Sequence, residues 1–297
     1  MNDMLIASFL DYLRFEKVSS EQTVSAYEVD LNQFKAFVKS IDEEVSLLQV
    51  DADWIRQWQM SLLEKKDAPA TVNRKLSSLR SFYKFLRIRE KIKVDPMQKI
   101  ASVKQQKKLP VFLRESEMNR LLDDVNFSED YFGCRDQLIL ETFYMTGMRL
   151  AELVGLRLKD VDVDQCVVRV IGKRNKQRLI PFGDELKNLF QNYLKMRKNS
   201  FEELTTDFLF LNKNGDQISR SDVQLMVKRY LSKVVTLRQK SPHVLRHTFA
   251  TAMLNGNASL SAVKELLGHA SLSATEIYTH VSFEEMKKVY KQAHPRA

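Results

Sequence analysis

Residues 241–280, SPHVLRHTFATAMLNGNASLSAVKELLGHASLSATEIYTH, carry start and stop signals so closely spaced that the backbone has few options. Ser241 suits an N-cap, Pro242 the first helical position, and Gly256 follows the last periodic apolar residue, Leu254. Leu260, Val263, Leu266 and Leu267 then form an apolar stripe that Gly268 ends in C′ fashion. Ser273 and Glu276 make a capping box, which puts Tyr278 in the second turn of a third helix beside Ile277 and Val281. The spacing thus predicts helix, turn, helix, turn, helix.

Four of the five histidines fall in this stretch. His243 and Arg246, three apart, share a helical face, with His247 one step further round. His243 lies in the first turn, where unpaired N–H groups and the positive dipole end attract an anion, and phosphate is the expected one. His269 follows Gly268 directly, so helical packing permits His243, Arg246, His269 and Tyr278 to meet in one cleft. Taken singly, each has a plainer reading: a tyrosine beside an apolar stripe is usually core, and a His–Arg pair is often a solvated helix start. A zinc helix fits poorly. His243 and His247 have i, i+4 spacing, but Val244 stands where a catalytic Glu is needed, and Cys134 and Cys166 are far apart. No metal and no cofactor is expected.

The charge is uneven. Residues 1–64 hold 5 basic and 12 acidic side chains, a net of −7, whereas residues 65–108 hold 14 basic and 3 acidic, a net of +11. A basic segment of that size suits a polyanion, although a lysine-rich solvated surface is common. The chain is 297 residues long and 44% hydrophobic, enough for two domains. No run approaches a bilayer span and the two cysteines offer no disulfide framework, so a soluble protein of the reducing cytoplasm, away from any membrane, is expected.

The first hundred residues read as helices. Leu5, Phe9 and Leu13 mark one; Tyr27, Leu31, Phe34 and Val38 a second; Trp54, Trp58 and Leu62 a third, entered at Asp51 or Asp53. A fourth runs from near Pro69 to about Arg87, with Val72, Leu76, Leu79 and Tyr83 on one side. Its other side carries Asn73, Ser77, Arg80 and Lys84, with Arg74, Lys75 and Arg87 at the margins. Such a stripe suits a DNA groove, lysines and arginines on phosphates and Asn73 or Arg80 on base edges. Residues 101–110, ASVKQQKKLP, read as a basic linker whose Lys107 and Lys108 suit the phosphate backbone, or equally as a plain surface connection. The predicted domains are 1–100, helical, and 111–297, mostly helical with a small antiparallel sheet. In the second, residues 115–123 and 136–145 have helical spacing, Thr146-Gly147 interrupts, and a new helix opens with Arg149, Glu152 orienting it from the same face. CVVRVIG and QRLIP predict a β-hairpin with Lys173 at its turn, and residues 207–219 add a strand-and-turn signal at Asn214-Gly215. Val223, Met226, Val227, Tyr230 and Leu231 predict one more amphipathic helix.

Arg149 in TGMRLAEL, the hairpin Lys173, HVLRH at 243–247, LGH at 267–269 and Tyr278 in TEIYTH together closely resemble the tyrosine recombinase (phage integrase) family. TVNRKLSSLRSFYKFL at 71–86 resembles that family's helical, SAM-like core-binding domain. The ending, VYKQAHPRA, resembles the Xer branch, and within it the XerC group more than the XerD group. The resemblance implies a helical DNA-binding domain followed by an α+β catalytic domain. It also implies strand cleavage by Tyr278 through a 3′-phosphotyrosine, with Arg149 and Arg246 stabilising the phosphate, His243 and His269 assisting, and Lys173 protonating the 5′ leaving oxygen. The chemistry agrees: charge builds on two non-bridging oxygens, which suits two fixed guanidiniums, and a phenol of pKa ~10 needs positive surroundings to act as nucleophile. The family's hairpin often reads Gly-Lys-Gly; here Gly172-Lys173-Arg174 leaves Asn175 to supply the turn and makes Lys176 an alternative donor.

Double-stranded DNA is the implied partner, held by a tetramer of this chain or of this chain with a paralogue, its tail after His280 packing on a neighbour, with a translocase of the FtsK type as a further partner. Resolution of linked chromosomes at a dif-like site is the role implied by the Xer branch. Integration or inversion of a mobile element remains open, as do two other classes: a type IB topoisomerase, which shares the constellation, and a non-enzymatic architectural DNA-binding protein.

Overall fold

The computed structural model describes residues 2–105, 111–172, 177–201, 206–237, 239–268 and 283–297. Met1–Lys108 and Leu109–Ala297 are separate compact units, each with its own core.

The first unit is helical: α1 (Asn2–Asp11) running into a wider turn (Tyr12–Glu16), α2 (Glu21–Ile41), α3 (Ala52–Glu64) and α4 (Pro69–Ile88). The sequence signals act as expected. Asp51 Oδ1 caps α3 by accepting the N–H groups of Asp53 and Trp54 at 2.9 and 3.3 Å, and Pro69 opens α4. Phe9, Leu31, Phe34, Leu76, Leu79 and Phe82 are fully buried, so the apolar stripes of α1, α2 and α4 face one another. After α4 the chain returns along that helix. Met97 and Ile100 enter the core, and Asn73 grips Val103 by both backbone groups, donating to its carbonyl at 2.9 Å and accepting its N–H at 2.8 Å. Residues 101–103, expected in the linker, are therefore held to the first unit.

The second unit contains α5 (Glu115–Asn119) with a wider turn (Arg120–Asp124), α6 (Tyr131–Thr146), α7 (Leu150–Val154), β1 (Val161–Asp162), β2 (Val167–Ile171), β3 (Gln177–Pro181), α8 (Asp184–Ser200), α9 (Arg220–Val234), α10 (Pro242–Asn255), α11 (Leu260–Leu267) and α12 (Phe283–Ala293). The strands form one antiparallel sheet in the order β1-β2-β3, with Val168 opposite Ile180 and Val170 opposite Arg178. Every residue from Leu138 to Met148 is buried, which makes α6 the central helix of this unit. The predicted strand in 207–219 is reduced to isolated bridges, Arg157 to Phe208 and Leu211 to Gln217. Gly215, at φ 83°, turns the chain there before a longer ladder can form.

Two boundary signals work differently from their expectation. Ser241 precedes α10 in extended conformation, but its hydroxyl makes no cap bond and is buried without a partner. Gly256 is not left-handed (φ −79°); Asn257 takes that conformation at φ 64°. Gly256 is needed for close approach instead, because a Cβ there would lie 2.0 Å from the Ala293 carbonyl oxygen. Residues 283–297 of the C-terminal tail pack on their own unit. His294 Nε2 lies 3.2 Å from the Tyr144 carbonyl, and Arg296 pairs with Asp123 at 2.6 Å and with Glu185. No helix among the described residues is long and apolar enough to cross a membrane.

Candidate active site

The site is organised by the C-terminal end of α11. The last carbonyls of a helix have no partner within it and carry the negative end of its dipole, so they attract cations. Three consecutive carbonyls here each take a different arginine. Leu266 O accepts Arg178 Nε at 2.7 Å, Leu267 O accepts Arg246 Nη2 at 2.7 Å, and Gly268 O accepts Arg149 Nη2 at 2.9 Å. Gly268 makes the arrangement possible. Its φ of +61° is left-handed, and a Cβ would come within 2.9 Å of Arg178 Nη1.

Each arginine arrives on its own element. Arg149 stands at the N-cap of α7, where its N–H donates to Glu152 Oε2 at 2.8 Å and its Nη1 to Glu152 Oε1 at 2.9 Å. Arg246, on α10, is only 7% exposed, and its Nη1 also donates to the Gly147 carbonyl in the turn between α6 and α7. Arg178, on β3, shares the inward face with Ile180 and donates to both oxygens of Glu152 at 2.9 Å. Arg149 and Arg246 were marked by the sequence, as was Glu152 as the orienting partner. Arg178 was missed, its one signal being a charged residue at an inward position of a strand.

The charges in this cluster do not cancel. Three guanidiniums surround one carboxylate, Glu152, which leaves positive charge in excess. Burial works to raise the Glu152 carboxyl, but the bonds from Arg178 and from Arg149 outweigh it and hold the group below its ordinary range. Burial, reinforced by the charges of Arg149 and Arg178, lowers Arg246 to about 10 against the opposing pull of Glu152. Arg246 therefore stays charged at neutral pH in a place that has removed much of its water, and an anion entering there would meet a strong field. His243 and His247 lie exposed on α10 beside Arg246. Burial first, then the charges of His243 and Arg246, lowers His247 from its ordinary value.

Lys173, Lys176, His269 and Tyr278 lie outside the described residues, as do Lys107 and Lys108. The expected DNA-facing stripe of α4 is altered by the structure. Asn73 engages Val103 through both ends of its amide, and Lys75 is 8% exposed and paired with Asp67 at 2.8 Å. Arg80 donates to the Ile100 carbonyl at 3.4 Å, and Ser77 Oγ to the Asn73 carbonyl at 2.9 Å. Arg74 pairs with Asp30, which is fully buried and also accepts Ser78 Oγ at 2.6 Å. Arg74, Ser77, Lys84 and Arg87 are the stripe members that remain exposed.

Comparison with known proteins gives this geometry a family. Residues 111–285 match the Phage integrase family, and residues 6–91 match the Phage integrase, N-terminal SAM-like domain. The chain is 40% identical over 302 residues to Tyrosine recombinase XerC of Natranaerobius thermophilus, covering 100% of this chain and 99% of the relative. It is 38% identical over 317 residues to Tyrosine recombinase XerC of Chlorobaculum tepidum, covering 98% and 94%. Its fold is that of the Tn1549 transposon integrase, at TM-score 0.72 and 21% identity over 96% of this chain and 98% of that one. A helical SAM-like unit, a catalytic unit with clustered arginines and full-length likeness to these relatives lead to one conclusion: the chain belongs to the phage integrase family, as a site-specific tyrosine recombinase of the Xer type.

Proposed function

We propose that this recombinase cuts one strand of a DNA duplex with Tyr278, forms a 3′-phosphotyrosyl bond and passes the strand to a 5′ hydroxyl of a second duplex. The observation that carries the reading is the set of α11 carbonyls that holds Arg149 and Arg246 beside each other, with His243 on the same helix as Arg246. Phosphoryl transfer asks for such a pair. The pentavalent transition state puts charge on two non-bridging oxygens, and guanidiniums whose remaining N–H groups are already oriented stabilise it without reorganising. The Tyr278 oxygen attacks phosphorus, its proton passing to His243 or His269; the P–O5′ bond breaks, and Lys173 donates the proton that the leaving oxygen takes up. The phosphotyrosine conserves the bond energy, so reversal with a new 5′ hydroxyl rejoins strands.

The relatives named XerC support chromosome-dimer resolution at a dif-like site as the cellular role. DNA is the proposed partner, contacted in the first unit by Arg74, Ser77, Lys84 and Arg87, with Arg80 beside them and Lys107 and Lys108 on the backbone. The proposed assembly is a tetramer on two duplexes, of this chain alone or with a paralogue, working with a DNA translocase of the FtsK type in the cytoplasm.

A nicked candidate site, incubated with protein and boiled in SDS, tests the chemistry. A covalent adduct is expected with the wild-type chain and none with Tyr278→Phe; an adduct with Tyr278→Phe refutes the nucleophile. Lys173→Ala and Lys176→Ala, made separately, should differ, with loss of cleavage at Lys173; loss only at Lys176 would transfer the proton to that residue. Selection of bound sequences from random DNA, followed by their location in the genome, separates chromosome resolution from integration of a mobile element.

A further inference from the structure

The third arginine of the cluster has no place in the reaction just described, and its geometry gives it one. Arg178 donates from Nε to Leu266 O and from both Nη atoms to Glu152, and its side chain is only 14% exposed. With three directed bonds inside the protein it has little left for a phosphate. What it holds is the partner of another arginine. Glu152 Oε1 accepts from both Arg178 Nη1 and Arg149 Nη1, each at 2.9 Å, so one carboxylate oxygen is shared between a spent guanidinium and a half-exposed one. Without Arg178, Glu152 would be left buried with one cation instead of two, free to turn toward Arg149 and draw it off the Gly268 carbonyl.

We propose that Arg178 is a positioning residue for strand cleavage: it fixes Glu152 and the end of α11 so that Arg149 presents its remaining N–H groups to a non-bridging oxygen of the scissile phosphate. The proposal rests on the phosphoryl-transfer reading above. Its chemical basis is the planar fork of the guanidinium, which matches a carboxylate through two parallel bonds while Nε serves a third acceptor. A lysine at 178 keeps the charge and can make no such pattern. The same residue ties β3, one arm of the predicted Lys173 hairpin, to the helix end that precedes His269. A single side chain thus joins the strand, α7 and α11.

The test compares two substrates. The first is a nicked duplex with an ordinary phosphodiester at the scissile position; the second carries a methylphosphonate there, which lacks the charge on one non-bridging oxygen. Covalent adduct formation is timed for the wild-type chain, Arg178→Lys and Arg178→Met, with circular dichroism and duplex binding measured alongside. On the phosphodiester both variants should be slower by about tenfold to a hundredfold, the scale of a misplaced catalytic group. On the methylphosphonate the loss should shrink to about threefold or less, because the charge that Arg149 serves has been removed. An equal loss on both substrates would mean that Arg178 only supports the fold, and would overturn the proposal. So would wild-type rates in Arg178→Lys, or failure of both variants to fold. If the wild-type chain forms no adduct on either substrate, the underlying cleavage reading fails, which is a different result.

Discussion

Glu141 should make the catalytic unit less stable as pH rises through neutrality, and Glu141→Gln should abolish the effect. Glu141 sits in the middle of α6 at 1% exposure, and its Oε2 has no hydrogen-bond partner. Tyr290 of α12 is equally buried, with its hydroxyl also unpartnered. Burial raises the Glu141 carboxyl to about 8; Arg296 pulls it down, and Glu185 and Asp123 push it up. In the folded chain the carboxyl keeps its proton to about pH 8, whereas in the unfolded chain it releases it near 4.5. Between those values the folded state binds the extra proton, so stability declines with increasing pH across that window. At ~1.36 kcal/mol per pH unit, the cost is about 3 kcal/mol at pH 7 and less than about 1 kcal/mol at pH 5. Glutamine has nearly the same shape and no proton to take up. Glu141→Gln should therefore raise the melting temperature of this unit by about 6–12 °C at pH 7 and by only about a third of that at pH 5. Calorimetry at the two pH values reads the shift. Both tryptophans, Trp54 and Trp58, lie in the first unit, so their fluorescence follows that unit's own melting, which should not move. An equal shift at both pH values, or a lower melting temperature at pH 7, would refute the reasoning.

Other outcomes follow from the same geometry. Arg246→Lys cannot bond both Gly147 O and Leu267 O, and should slow adduct formation by about 10²–10³ while duplex binding changes little; unchanged cleavage would remove Arg246 from the site. Gly268→Ala must hold a left-handed φ of +61° and crowd Arg178, so urea titration should show a loss of about 1–2 kcal/mol or more, with slower cleavage beyond it. Arg296→Ala removes the pairs to Asp123 and Glu185, and hydrogen exchange at residues 286–297 should quicken; unaltered exchange would mean that Tyr290 and His294 alone hold the tail. Lys84→Ala should weaken binding to all duplexes alike and lower the salt slope by about 1, as removal of one phosphate contact does; a change in sequence preference instead would assign Lys84 to base reading.

How far the sequence could be read depended on whether a signal was local. The helices α2, α3 and α4 were legible because each has one apolar side and a start signal, a capping side chain at Ser20 and Asp51 and a first-turn proline at Pro69. The centre of α6 was legible, but its start at Tyr131 was not: a helix buried on every side has little periodicity to mark its ends. Strand β1, two residues long, has no pattern of its own and exists only through pairing with β2. α8 went unmarked although Leu186, Phe190 and Tyr193 follow a helical seam, because ten of its seventeen residues are charged or amide-bearing and dilute it. In the site, Arg149 and Arg246 were legible as residues, but their meeting was not, since Arg149 reaches Gly268 across 119 positions and Arg246 reaches Gly147 across 99.

What joins them is a backbone feature with almost no sequence signature. Any helix ends in carbonyls that need partners, and a glycine at C′ announces the end without saying what will satisfy it. Here water could have done so at no cost to the fold. Three arginines do it instead, from a strand and two other helices, which obliges each to give up hydration for a weak partial charge. One carboxylate offsets one of the three charges. A structure selected for stability alone would have added acids, as the Asp123–Arg296–Glu185 cluster does elsewhere in the same unit. The retained excess is what the proposed scissile phosphate calls for, and α11 is the rail that holds the guanidiniums on successive carbonyls.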